Sequence, residues 1–273
     1  MTEANGSNDL IITLDDIICT EKYFNAFPNH YYKTDVFYTN SNFEWRNKVM
    51  ARPNRGLKLL ISGHSDYSIH DAHVDFYNPS IWFTINKQTT NPNVNVVALP
   101  LGINNFTNES HLHPIYGNPH CIIQVRNEDI PHKNLVYMNF NIGTFPTERQ
   151  RVYDLFCDKE WVSIGNIVNT LEGRTNFLRD IKAHAFTLCP RGNGIDTHRL
   201  WETLYMGSIP IVKHDVAINE FNDLPICFVN DWREVTVEFL EKERIRIKNS
   251  EHYCMDKLKI GYWIHKINDH LVH

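Results

Sequence analysis

An α/β fold built from two parallel-sheet layers is what this sequence predicts, and three observations predict it. Short apolar runs that read as buried strands recur along the whole chain and alternate with helical or irregular pieces. The segment Ala185–Val212, AFTLCPRGNGIDTHRLWETLYMGSIPIV, compresses a strand, a glycine-rich loop, a helix and a second strand into one βαβ unit. The polar stretch Asn127–Lys133, NEDIPHK, holds a proline and no apolar period, so it reads as a linker between two halves.

In the first half, Met1–Asp9 is polar and Leu10–Leu14 reads as a first strand. Asp15–Glu21 reads as a turn or short helix, and the Asn- and Tyr-rich Phe24–Phe43 as loops and short pieces. Asn42–Val49 reads as a helix. Leu57–Ser62 is a buried strand that runs into the turn Gly63-His64-Ser65-Asp66, and Trp82–Ile85 and Val94–Leu99 are further strands. In the second half, strands are expected at Asn134–Phe140, Trp161–Ile164 and Leu224–Val229. Helices are expected at Thr147–Phe156, with Arg149 in its first turns, and at Thr175–His184 and Val235–Lys242. The tail Glu251–Leu271 reads as one long amphipathic helix, marked by Leu258, Ile260, Trp263, Ile264 and Ile267.

Within the βαβ unit, Pro190 stops the first strand and Arg191-Gly192-Asn193-Gly194-Ile195 forms the loop. Asp196 or Thr197 caps the helix, and Gly207 ends it. At 100° per residue, Leu200, Trp201, Leu204 and Tyr205 share one face and pack inward. Arg199, Glu202 and Thr203 share the other, where Arg199 suits a phosphate and Glu202 the hydroxyls of a ribose, or the two form an i,i+3 ion pair. The loop and the helix N-terminus together offer an anion site.

Composition excludes several classes. The 273 residues carry a formal charge of −5, leaving no broad basic field for nucleic acid. No apolar run approaches the ~20 residues of a membrane span, and the opening MTEANGSND lacks the regions of a signal peptide. The six cysteines are scattered without a CxxC, as in a reducing compartment. A cytoplasmic protein is therefore expected.

The segment CPRGNGIDTHRLWETLYMGSIPIV resembles the signature of exostosin-like glycosyltransferases, with looser similarity from Asn134 to Trp232. The resemblance implies the GT-B architecture: two Rossmann-like domains facing across a cleft, with a C-terminal helix crossing back to the N-terminal domain. It implies an acceptor-side domain at 1–130, joined by the crossing helix 252–273, and a nucleotide-sugar-binding domain at 131–251. It further implies a donor held by Arg149, Arg191, Gly192, Asn193, Gly194, Thr197, His198, Arg199 and Glu202, with the arginines on the diphosphate and Glu202 on the ribose. The absence of any Asp-x-Asp leaves no ligand pair for a metal-bridged diphosphate, so no metal or other cofactor is expected. The compact, Asn-rich chain is similar to chlorovirus exostosin-like enzymes. That similarity implies a viral or microbial glycan-building enzyme using a UDP-sugar, with UDP-xylose foremost. Animal exostosins are membrane-anchored, and this chain departs from that pattern.

Transfer to a glycan hydroxyl with inversion needs a base on the opposite wall. Asp66, just past the strand Leu57–Ser62, is the first choice, with His64, Asp71 and His73 as alternatives. The same segment supports a rival reading. His64, Asp66, His70, Asp71, His73 and Asp75, with His111 and His113, are metal-ligand types that would suit a metal-dependent hydrolase. A non-catalytic sugar-binding module is the other alternative.

Overall fold

The computed structural model of the chain describes residues 10–27, 36–40, 58–63, 66–106 and 112–271. The first parallel sheet, in the order β1-β2-β3-β4, is formed by β1 (Val36–Asn40), β2 (Leu59–Gly63), β3 (Ile81–Thr84) and β4 (Val96–Ala98). The second, also parallel, has the order β6-β5-β7-β8-β9. Its strands are β5 (Asn134–Met138), β6 (Val162–Ile164), β7 (His184–Leu188), β8 (Ile209–Lys213) and β9 (Cys227–Val229). Helices on both layers are α1 (Thr20–Ala26), α2 (Asp71–Tyr77), α3 (His113–Tyr116), α4 (Pro119–Arg126), α5 (Pro146–Phe156) and α6 (Leu171–Ala183). They continue with α7 (His198–Tyr205), α8 (Val216–Asn219), α9 (Val237–Lys248) and α10 (Ile260–Asp269).

The strands form where the sequence has unbroken apolar runs. β2, β3 and β7 are buried at every position, as parallel strands covered on both faces must be. Strand β7 pairs in parallel with β8 through α7, so Ala185–Val212 is the βαβ unit its pattern predicts. Gly207 ends that helix at φ +77°, a conformation glycine adopts without a Cβ penalty.

Four expectations need correction. Leu10–Leu14 is not a strand; Asp16 accepts from both the N–H and the hydroxyl of Thr13 and turns the chain there. Helix α6 begins at Leu171 rather than Thr175, because the Thr170 hydroxyl caps the Gly173 N–H at 3.0 Å. Helix α9 runs on to Lys248. The tail is not one helix: a 3₁₀ turn at Met255–Leu258 precedes α10, and the Trp263 indole donates to the Lys257 carbonyl across the break. The helix expected at Asn42–Val49 lies outside the described residues.

One apolar core joins the two layers. It runs from Ile18 and Phe83 through Ile122 and Val125 to Leu200, Leu204 and Trp263. Helix α10 lies against the first layer, where the Ile260 N–H donates to the Asp16 carbonyl and His270 meets the Phe83 ring. Tyr205, buried at the end of α7, accepts from the Ile18 N–H and donates to the Leu258 carbonyl, each at 2.9 Å. No helix among the described residues is long and apolar enough to cross a membrane.

Candidate active site

Parallel strands deliver the loops after β5, β6 and β7 to one sheet edge. The order β6-β5-β7 places a topological switch point there, the usual position of a ligand crevice in open α/β sheets. A cavity of ≈ 440 Å³ opens at this edge. Its walls include Asn139 and Asn141 after β5, Asn166–Asn169 after β6 and Gly192–Gly194, Asp196 and Thr197 after β7; Asp66, Leu101 and Asn104 face them from the first layer.

Three arginines converge on the cavity from three helices. Arg149, on α5, donates to the carbonyls of Arg191 and Asn141 at 2.9 Å each, tying two of the loops together. Burial, with the charge of Arg199 nearby, brings its guanidinium down to about 10. Gly192 gives it room, since a Cβ there would lie 3.2 Å from Nη2. Arg199, on α7, stacks 4.7 Å over Phe177, and Arg174, on α6, lies 5.4 Å from the centre of the same ring. Arg174 Nη1 is 2.7 Å from Glu202 Oε1, whereas Arg199 Nε is 4.0 Å from Oε2. The close Arg174–Glu202 contact is an ion pair without hydrogen-bond alignment. All three Arg174 guanidinium nitrogens, and Nε and Nη1 of Arg199, are buried without a hydrogen-bond partner among the described residues.

These contacts change the reading of α7. Glu202 is 4% exposed and Thr203 0%, so neither looks outward. The helix is buried around its circumference, with Glu202 as counter-ion to Arg174 on the cavity wall. Asp196 does not cap the helix with its side chain. Its carboxylate accepts from the Leu101 N–H and the Trp201 indole, at 2.8 Å each, and burial pushes it up to about 7. Thr197 is the N-cap residue, in extended conformation and without a side-chain cap bond. His198 bonds the Gly102 carbonyl through Nδ1 at 2.8 Å, and burial lowers its pKa, so a neutral imidazole lines the cavity near neutral pH.

The backbone anion cradle is already occupied in part. The Gly192 N–H donates to the Gly194 carbonyl, and the N–H groups of Ile195 and Asp196 donate to Asn86. The cationic donors on the cavity wall are the guanidinium groups of Arg149, Arg174 and Arg199.

Of the residues singled out in the sequence, Asp66, Arg149, Gly192, Asn193, Gly194, Thr197, His198, Arg199 and Glu202 share this cavity. Arg191 does not. Its guanidinium lies 4.5 Å over Phe145, donates to the Gly192 and Asn193 carbonyls, and borders a separate cavity on the far side of the loop. Asp71 is also elsewhere, at the start of α2, where it accepts from the Thr89 hydroxyl. His64 lies outside the described residues. His73 bonds the His70 N–H in a capping box. Among the described residues no three His, Cys, Asp or Glu side chains converge as a metal site. Arg174, Asn139, Tyr116 and Phe177 line the cavity without having been singled out. The cap signal Thr170-Leu171-Glu172-Gly173 was the available clue to Arg174, since it starts α6 early enough to include it.

The architecture aligns with a crystal structure of an α1,3-fucosyltransferase at a TM-score of 0.50 and 14% identity, covering 89% of this chain and 78% of that one. A crystal structure of an α1,3-fucosyltransferase with GDP-fucose aligns at a TM-score of 0.43 and 14% identity, over 80% of this chain and 78% of the other. The fold is GT-B. Residues 157–272, which hold α6, the glycine-rich loop and α7, match the RXYLT1 C-terminal domain family. No curated protein matches the chain in sequence.

Proposed function

We propose that the cavity binds a nucleotide-diphospho-sugar and that the chain transfers the sugar to a glycan hydroxyl with inversion. The observation that carries this reading is the pair of buried, hydrogen-bond-deficient guanidinium groups of Arg174 and Arg199. Arg174 has Glu202 as its counter-ion, whereas Arg199 keeps two buried donors without an acceptor, and a diphosphate supplies acceptors of the right sign. Arg149 adds a third cation on the same cavity. The donor is proposed to be a UDP-sugar, with UDP-xylose first to be tried, on the strength of the sequence resemblance.

The reaction is a single displacement without a metal. An acceptor hydroxyl oxygen forms its bond to the anomeric carbon as the bond from that carbon to the diphosphate oxygen breaks. The hydroxyl proton goes to Asp66, on the opposite wall, and the electron pair of the broken bond leaves with the nucleoside diphosphate. Arg149, Arg174 and Arg199 meet that developing charge from the cavity wall. Glu202, held by Arg174, is left with its second oxygen for the ribose.

Thermal-shift measurements over nucleoside diphosphates test the reading. UDP is expected to stabilise the protein equally with and without EDTA. Arg199→Ala, with circular dichroism unchanged, should weaken UDP by about 10- to 100-fold, the worth of a charge-assisted hydrogen-bonded contact. Asp66→Asn should keep UDP affinity and lose transfer; surviving transfer would remove Asp66 as base. Metal-dependent phosphoester hydrolysis, or glycan affinity with no response to any nucleotide, would overturn the proposal.

A further inference from the structure

The loop beside the donor cavity is held by a side chain from the other layer. Asn86 follows β3, is 2% exposed and has a left-handed φ of 51°. Its Oδ1 accepts the consecutive N–H groups of Ile195 and Asp196, both at 2.9 Å. Its own carbonyl accepts from the Ile69 N–H at 3.1 Å, in the segment that carries Asp66. One residue thus grips the base-bearing segment with its backbone and the donor loop with its side chain. Gly194 is where the two meet. A Cβ there would lie 2.9 Å from Asn86 Nδ2 and 3.2 Å from Asp66 Oδ1, so a bare backbone lets amide, carboxylate and loop close on one another.

Building on the transferase reading above, we propose that Asn86 is the positioning residue that sets the reach from Asp66 to the reacting sugar carbon. Two adjacent N–H groups on a single oxygen fix the direction of the loop as well as its place; a single bond would leave it free to swing. Arg149, Arg174 and Arg199 stand on α5, α6 and α7, outside the loop that Asn86 grips. The loop touches these groups through its backbone, where Arg149 donates to the Arg191 carbonyl, so losing the Asn86 side chain is expected to change nucleotide affinity far less than the geometry of attack. Displacement of a reacting group by about 1 Å costs on the order of 100-fold in rate.

Asn86→Gly keeps the left-handed backbone and removes only the side chain. Asn86→Asp keeps an acceptor able to take both N–H groups. The test is to measure kcat, acceptor KM and UDP Kd for both at about pH 8, where carboxylates are ionised, together with Tm. Asn86→Gly should lower kcat about 10- to 100-fold and leave UDP Kd within about threefold of wild type. Asn86→Asp should recover part of kcat and shift its pH profile upward, because the new carboxylate stands beside Asp66. Wild-type kcat in Asn86→Gly would overturn the inference. So would kcat, UDP affinity and Tm falling together without recovery in Asn86→Asp, which marks a mere structural brace. A wild-type protein that turns over no nucleotide sugar removes the transferase reading itself, and this inference with it.

Discussion

Arg174 and Glu202 place a full ion pair inside the protein, with side-chain exposures of 0% and 5%. Removing one member of such a pair strands the other charge and costs about 3–5 kcal/mol. Glu202→Gln should therefore destabilise the protein by that order in urea denaturation. Saturating pyrophosphate, which has no ribose for Glu202 to meet, should restore more stability to the variant than to wild type, because it then supplies an anion to Arg174 and Arg199. An equal pyrophosphate increment in both would show that the diphosphate does not meet these arginines. Arg199 and Glu202 were legible as polar positions because glycine, cap and helix period surround them in one continuous segment. Their burial was not legible. It depends on Arg174 and Phe177 of α6, brought against α7 only when β5 and β7 pair side by side.

At the scale of elements, the loop between β7 and α7 does something other than cradle an anion with its backbone. The N–H groups of Gly192, Ile195 and Asp196 are spent on Gly194 and Asn86, which ties the loop to the opposite wall. A second rigid contact lies at Gly102, where φ is +70° and a Cβ would sit 2.1 Å from the Ile18 carbonyl oxygen. That carbonyl accepts the Ile103 N–H, and the Gly102 carbonyl bonds His198, so the turn joins α1's approach to the site. Gly102→Ala should cost more than about 2 kcal/mol, combining left-handed strain with a backbone clash. Denaturant midpoints would measure it; a loss under about 0.5 kcal/mol, the scale of an ordinary surface substitution, would mean the turn relaxes freely. Strand and helix positions were largely readable from apolar period and from Pro, Gly and Thr signals. The tail was not, because its break at Lys259 comes from docking on Asp16, remote in sequence.

For the whole molecule, the shared core and the contacts of Tyr205 and Asp196 bind the two layers into one unit. A single calorimetric transition is expected, with equal calorimetric and van't Hoff enthalpies; two resolved transitions would show layers that unfold independently. Asp196 gives that unit a pH signature. Its folded pKa, about 7, lies above its unfolded value because burial disfavours the charged form. Its contribution is complete below its unfolded value, near pH 4, and is lost as pH rises through about 7. Wild-type stability should thus decline over that window, and Asp196→Asn should flatten the decline in urea titrations. An identical slope in the two proteins would place the titration elsewhere.

The sequence by itself determined the local grammar: which runs are strands, where the βαβ unit begins and ends, and which segment is similar to a transferase signature. Those properties follow from side-chain period, glycine conformations and caps, all of which act over a few residues. Tertiary structure alone decided which charges are buried, which arginine faces the cavity, and which side chain spans the two walls. Arg191 and Arg199 are equally cationic in the sequence, yet only Arg199 reaches the cavity. Desolvation and hydrogen-bond satisfaction depend on neighbours from distant strands, and the chain acquires those neighbours only on folding.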